Sequence, residues 1–239
     1  MRWDRVAIGE PPLWFERRQF TSDAFYAMGP LTIVPECAEL FDGVVTDKTG
    51  DGRAHCWTHE QYAALVEAGI LDQDERIELV EGEIVRIPGE DECHGQVTER
   101  LAGIIRGAVG EDSVRIARPL WFNRVEQLRP DVILLRDEAA RDHSRPPAAW
   151  DALLVAEVSG TTLEIDRELK SLRYARSAIP EYWIADLGTC SLTVHLDPVG
   201  GNYRNVRTYA ADEAWCSSAL GGYTMSVERV FGRTVAEVS

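Results

Sequence analysis

Two nearly uninterrupted apolar runs, each with a carboxylate at one end, constrain this chain more than any other feature. Val-Ile-Leu-Leu at 132–135 follows Asp131, and Leu-Leu-Val-Ala at 153–156 leads into Glu157. A strand with one wet face alternates apolar and polar side chains, whereas a strand covered on both faces reads as continuous Val, Ile and Leu. Both runs are expected to be central strands, with both acids at strand ends near the rim of the sheet. Taken singly, each acid is also what a strand end uses to accept backbone N–H bonds. Two carboxylates within about 4–5 Å repel, so one takes up a proton or a divalent cation sits between them. Magnesium suits such a pair, because it takes one or two protein carboxylates and keeps water in its other positions.

The surrounding pattern alternates helices and strands. Thr58 and Gln61 form a capping box that opens a short helix through Ala68. Residues 76–87 read as two short strands meeting at Gly82 in a tight hairpin. Val97, Leu101, Ile104, Ile105 and Ala108 recur at helical spacing over 96–109. Strands are expected at 113–122, 131–135 and 152–158, a helix at 166–177 stopped by Pro180, and further strands at 181–186, 191–196 and 203–209. This order predicts an α/β fold, a central mixed β-sheet flanked by helices, with extra strands toward the C-terminus. The turn-rich Asp-Lys-Thr-Gly-Asp-Gly stretch at 47–52 divides the chain. An N-terminal extension over 1–52, without sustained periodicity or a legible role, precedes one domain over 53–239.

The 239 residues suffice to bury a core. No apolar run approaches the roughly 18 residues of a membrane span, and Asp4, Glu10 and Glu16 interrupt any signal-peptide pattern, so a cytoplasmic protein off the membrane is expected. The five cysteines form no CxxC pair, which argues against a disulfide framework or a zinc ribbon. A formal charge of −15 opposes nucleic-acid binding, since such proteins neutralise phosphates with a basic face. Net charge is not charge distribution, however, and a carboxylate metal site adds to the acidity.

On the helix after Glu157, Asp166, Lys170 and Tyr174 fall four residues apart and share one face. The plain reading is an Asp–Lys helix pair contributing about 0.3–0.5 kcal/mol. The functional reading points Lys170 back over Glu157, where its ammonium orients a nucleophile and stabilises charge building on phosphorus.

The stretches Arg-Ile-Glu-Leu-Val-Glu-Gly-Glu-Ile-Val (76–85), Arg-Pro-Asp-Val-Ile-Leu-Leu (129–135), Leu-Leu-Val-Ala-Glu-Val-Ser (153–159) and the run from Asp166 through Ile179-Pro180-Glu181-Tyr182-Trp183 to Asp186 resemble, in order, the Uma-two family of restriction endonucleases. The resemblance covers about residues 57–232. It implies a restriction-endonuclease-like core of the PD-(D/E)xK type, with catalytic residues Asp131, Glu157 and Lys170. Asp131 matches the family's Pro-Asp and Glu157 its second acid. The lysine of the wider superfamily would fall at Ser159 here, and Lys170 matches its displaced counterpart on the next helix. Glu78 matches an acidic position and His94 a frequent histidine, so both join the catalytic set, and Glu78 joins Asp131 and Glu157 as a metal ligand. The plain alternatives are the solvent face of a strand for Glu78 and a cap or surface position for His94.

The implied activity is Mg²⁺-dependent hydrolysis of phosphodiester bonds in nucleic acid, DNA foremost, with Mn²⁺ as a substitute and a homodimer as a candidate assembly. Arg115, Arg118, Arg124, Arg129, Arg167, Arg173 and Arg176 are candidates for phosphate contacts. Two alternatives stay open: an inert nuclease-fold module that binds DNA or a protein, and hydrolysis of some other phosphoester.

Overall fold

A computed structural model describes residues 16–29, 33, 38–41, 44–47, 54–72, 75–87, 92–142 and 144–232. Chain contacts divide into two units, Met1–Gly89 with Asn123–Leu128, and Glu90–Phe122 with Arg129–Ser239. Beyond Asp47, the turn-rich division expected at 47–52 lies outside the described residues.

The first unit carries β1 (Glu16–Arg17), α1 (Ser22–Met28), the hairpin β2 (Ala38–Phe41) and β3 (Val44–Asp47), α2 (His59–Glu67), β4 (Ile77–Val80) and β5 (Glu83–Arg86). The capping box of α2 is formed: Thr58 Oγ1 accepts from the Gln61 N–H, and Gln61 Oε1 accepts from the Thr58 N–H. Leu65 from α2, with Leu71, Leu79 and Ile84, packs into one apolar cluster. Strands β4 and β5 pair through a two-residue turn in which Glu81 and Gly82 both adopt positive φ, 51° and 82°. That is the geometry whose twist matches a right-handed hairpin.

The second unit continues with α3 (Glu92–Val109), β6 (Val114–Ile116), β7 (Leu120–Asn123), β8 (Glu126–Leu128, in the first unit's segment), β9 (Val132–Leu135), α4 (Asp137–Arg141) and β10 (Ala152–Ser159). A π-helical turn over Ile165–Lys170 runs into α5 (Ser171–Arg176). Then come β11 (Glu181–Asp186), β12 (Ser191–Val199), β13 (Asn202–Tyr209), the hairpin β14 (Ala214–Ser217) and β15 (Tyr223–Ser226), and α6 (Val227–Phe231). Six strands form a mixed sheet in the order β13-β12-β11-β10-β9-β6. Only β10 and β11 are parallel within it; the other neighbours are antiparallel.

One face of this sheet meets α3 and α6. Val97, Leu101 and Ile105 of α3 pack with Val132, Leu134, Leu154, Ala156, Val158 and Trp183, and with Val230 of α6. Side chains alternate along a strand, so Glu157, Ser159, Tyr182 and Asp186 point to the other face. A parallel pair needs a crossover, usually helical. The β10-to-β11 crossover is the π-helical turn with α5, and its contacts to Glu157 place it on that second face. The continuous apolarity of β9 and β10 matches their burial, and the expected central mixed sheet flanked by helices is the observed architecture.

Two elements differ from the sequence reading. Helix α3 starts at Glu92, ahead of its apolar repeat, because the first turn buries His94 in place of an apolar side chain. The strand expected over 113–122 is broken by Ala117 at φ 47°, and β7 is not part of the six-stranded sheet. Among the described residues, no helix is long and apolar enough to cross a membrane.

The β4–β5 turn yields a test. A Cβ added at Gly82 meets Cys56 Sγ, and the left-handed backbone costs a non-glycine residue about 1–2 kcal/mol. Gly82→Ala is expected to lower unfolding free energy by at least about 1 kcal/mol in urea titration, and an unchanged midpoint would contradict the turn.

Candidate active site

The register of β9 against β10 pairs Val132 with Ala156, which brings Asp131, one step before β9, across from Glu157. Asp131 is anchored through its backbone, since its carbonyl accepts the Ala117 N–H at 2.9 Å. Its Oδ2 accepts the Val158 N–H at 2.7 Å and lies 3.2 Å from His94 Nε2. His94 is buried on the first turn of α3, with Thr98 Oγ1 one turn later at 3.4 Å from its Nδ1. A partner on one ring nitrogen orients the other toward its ligand or carboxylate. His94 is therefore neither a surface residue nor a simple cap.

Glu157 is 2% exposed. Its Oε1 takes Lys170 Nζ at 2.9 Å and the Tyr174 hydroxyl, which donates at 2.5 Å. Lys170 Nζ also lies 3.3 Å from Asp166 Oδ1. Asp166 Oδ2 accepts from Ser159 Oγ at 2.7 Å and from Thr162 Oγ1 at 2.9 Å. The wide turn that carries Asp166 and Lys170 is marked by the Ser171 N–H donating five residues back to the Asp166 carbonyl. Such π-helical turns occur mostly as local insertions at functional sites. The Tyr182 hydroxyl donates to the same carbonyl at 3.0 Å. Tyr174 meets Tyr182 edge-on at 4.7 Å, and Tyr182 lies against His195 at 5.0 Å. Burial holds His195 down at about 4, so this floor is uncharged at neutral pH.

Electrostatics single out Glu157. Burial pushes its carboxyl well above the usual 4.5, and the charges of Asp131 and Asp166 push it further against the opposing pull of Lys170 and the Tyr174 hydroxyl. Among the described residues, Asp131 Oδ1 and Glu157 Oε2 take no hydrogen bond. No group of three or more His, Cys, Asp or Glu side chains there forms a ready cation cage. A pair of carboxylates, each with one oxygen uncommitted, fits a hard cation that keeps several waters.

Asp131, Glu157, Lys170 and His94 are thus brought together. Glu78 lies on β4 of the first unit at 3% exposure, which removes the solvent-face reading of that residue. Tyr174 and Asp166 were assigned no role from sequence, although their four-residue spacing from Lys170 was the signal that marks them. Ser159, two residues after Glu157, donates its hydroxyl to Asp166 and helps to hold it.

The raised Glu157 carboxyl has a measurable consequence. Because the folded protein binds this proton more tightly than the unfolded chain, its contribution to stability is complete below about pH 4.5 and is lost as pH rises through the folded value. In EDTA, the unfolding free energy of the wild type minus that of Glu157→Gln is expected to fall between pH 4.5 and 8 in urea titrations. A flat or rising difference would contradict it.

The chain matches the family model for Uma2, described as "Putative restriction endonuclease", over residues 59–228. Among solved structures, it is similar to a crystal structure from Anabaena variabilis described as "a putative nuclease belonging to DUF820". That similarity has a TM-score of 0.58 at 13% identity, covering 73% of this chain and 97% of the other. At such identity it bears on the fold alone. No curated protein matches the chain.

Proposed function

The chain belongs to the Uma2 family, and from that premise we propose that it is a metal-dependent endonuclease hydrolysing phosphodiester bonds in DNA. The observation that carries this reading is the buried Glu157 carboxylate beside Asp131, with the Lys170 ammonium 2.9 Å away. Asp131 and Glu157 would hold Mg²⁺ or Mn²⁺ through their uncommitted oxygens. When bound, the cation supplies Lewis-acid polarisation of the phosphoryl oxygen and lowers the pKa of water.

The protein's own groups do the rest. His94 and the Val158 N–H occupy Asp131 Oδ2 and so direct Oδ1 outward. Tyr174 and Lys170 fix the rotamer of Glu157 in the same way. Lys170, held by Asp166, places a positive charge where the attacking water and the phosphorus centre meet, stabilising charge that builds in the transition state. The water oxygen bonds to phosphorus and gives up a proton to solvent, the ester P–O bond breaks, and the departing oxygen takes a proton from solvent.

The 2.9 Å Lys170–Glu157 contact also favours a second reading, an inert nuclease-fold module in which the ammonium alone offsets the buried charge. Incubation with supercoiled plasmid in Mg²⁺, Mn²⁺ or EDTA separates the two. The enzyme nicks in metal only, Lys170→Ala slows nicking about 10²–10³-fold, and Asp131→Ala abolishes it. Full activity in Asp131→Ala would sink the site. An inert module leaves plasmid uncut in every metal.

A further inference from the structure

A cleft of about 880 Å³ opens on the second unit between the β6–β7 connection and the segment after β9. Four arginines line it: Arg115, Arg118, Arg141 and Arg145. Their charges are not equally spent. Arg145 is committed to Asp151 by bonds of 2.6 and 3.1 Å and lies 3.5 Å from Asp142. Arg115 donates only to backbone carbonyls, those of Asp112, Val114 and Ala140, and so keeps its charge. Arg118 and Arg141 are exposed and make no ion pair among the described residues. Of the three acids that line it, Glu111 is paired with Arg106 at 3.2 Å, Asp142 lies 3.5 Å from Arg145, and Asp112 is exposed. In a chain of net charge −15, this cleft is a local concentration of available guanidinium groups.

Two further features bear on the ligand. Trp150 is 56% exposed, an unusual state for the largest apolar side chain, and its ring meets Trp121 edge-on at 5.8 Å. Trp121 is fastened to the cleft wall, where its N–H donates to the Pro147 carbonyl at 3.0 Å. One backbone link ties the cleft to the candidate active site. Ala117, in a left-handed conformation at φ 47°, donates its N–H to the Asp131 carbonyl and delivers Arg118 next in the chain. Left-handed backbone at a non-glycine residue is strain of the kind that accumulates at functional sites.

We propose that this cleft binds an unpaired strand of nucleic acid, with phosphates on Arg115, Arg118 and Arg141 and a base stacked on Trp150. Duplex DNA buries its bases within the stack and offers none to an exposed indole, whereas a single strand offers both a charged backbone and free π-faces. Guanidinium groups with an aromatic platform are how proteins hold single strands without reading sequence. The proposal rests on the nuclease reading for its biological sense, and it assigns that site a substrate class: unpaired or locally opened strands led toward Asp131.

Binding of a labelled fifteen-nucleotide oligothymidylate and of a duplex of equal length is compared by fluorescence anisotropy in EDTA, where no cleavage occurs. The single strand is expected to bind the wild type at least about tenfold more tightly than the duplex. Trp150→Ala should weaken it about tenfold while Trp150→Phe retains most of the affinity. The Arg118→Ala/Arg141→Ala variant should flatten the salt dependence by roughly 0.7 per arginine removed. Equal or tighter duplex binding, insensitivity to these variants, or displacement by millimolar inorganic phosphate without any effect of Trp150 would overturn the proposal. Strand binding without cleavage in metal would sink the nuclease reading and leave the cleft intact. Metal-dependent cleavage with variant-insensitive binding would sink the cleft alone.

Discussion

A carboxylate at 2% exposure on a central strand must be compensated, and the second unit is organised around that requirement at Glu157. Lys170 supplies charge and Tyr174 supplies a hydrogen bond, both on the same oxygen. They reach it because β10 and β11 run parallel, which obliges the chain to cross over the sheet on a helix, and because that crossover includes a π-helical turn. The compensation is incomplete: burial and the neighbouring acids still hold the Glu157 carboxyl well above its ordinary range. A buried carboxyl held above its ordinary range, beside a second acid with an uncommitted oxygen, is a site whose electrostatics improve when a cation arrives.

The second acid is held by different means. Asp131 sits outside β9 and takes its orientation from a backbone N–H of β10 and from His94 at the start of α3. One acid is thus fixed from the helix on one face of the sheet and the other from the crossover on the opposite face. Both faces must be packed for the pair to exist, which ties the candidate chemistry to the double cover of the sheet.

That double cover was legible in the sequence, because continuous apolar runs at 132–135 and 153–156 occur only where neither face meets water. The β4–β5 hairpin and the α2 capping box were equally readable, since each depends on interactions between residues a few positions apart. The four-residue spacing of Asp166, Lys170 and Tyr174 placed them on one face, but the widening of the turn leaves no mark in an apolar pattern. The early start of α3 was hidden because its buried first-turn residue is His94, polar by type and buried against Asp131. The break at Ala117 was invisible too, for an alanine with positive φ is imposed by tertiary contacts rather than by its own preference. The unspent arginines and Trp150 converge from separate segments, and no linear spacing reports such convergence.

Binding of Mn²⁺ followed by electron paramagnetic resonance tests the proposed cation site at Asp131 and Glu157 without any substrate. The wild type is expected to remove the free Mn²⁺ signal saturably and Glu157→Gln and Asp131→Asn are not, while Lys170→Gln binds at least as well. No binding by the wild type, or binding unchanged in both carboxylate variants, would contradict it.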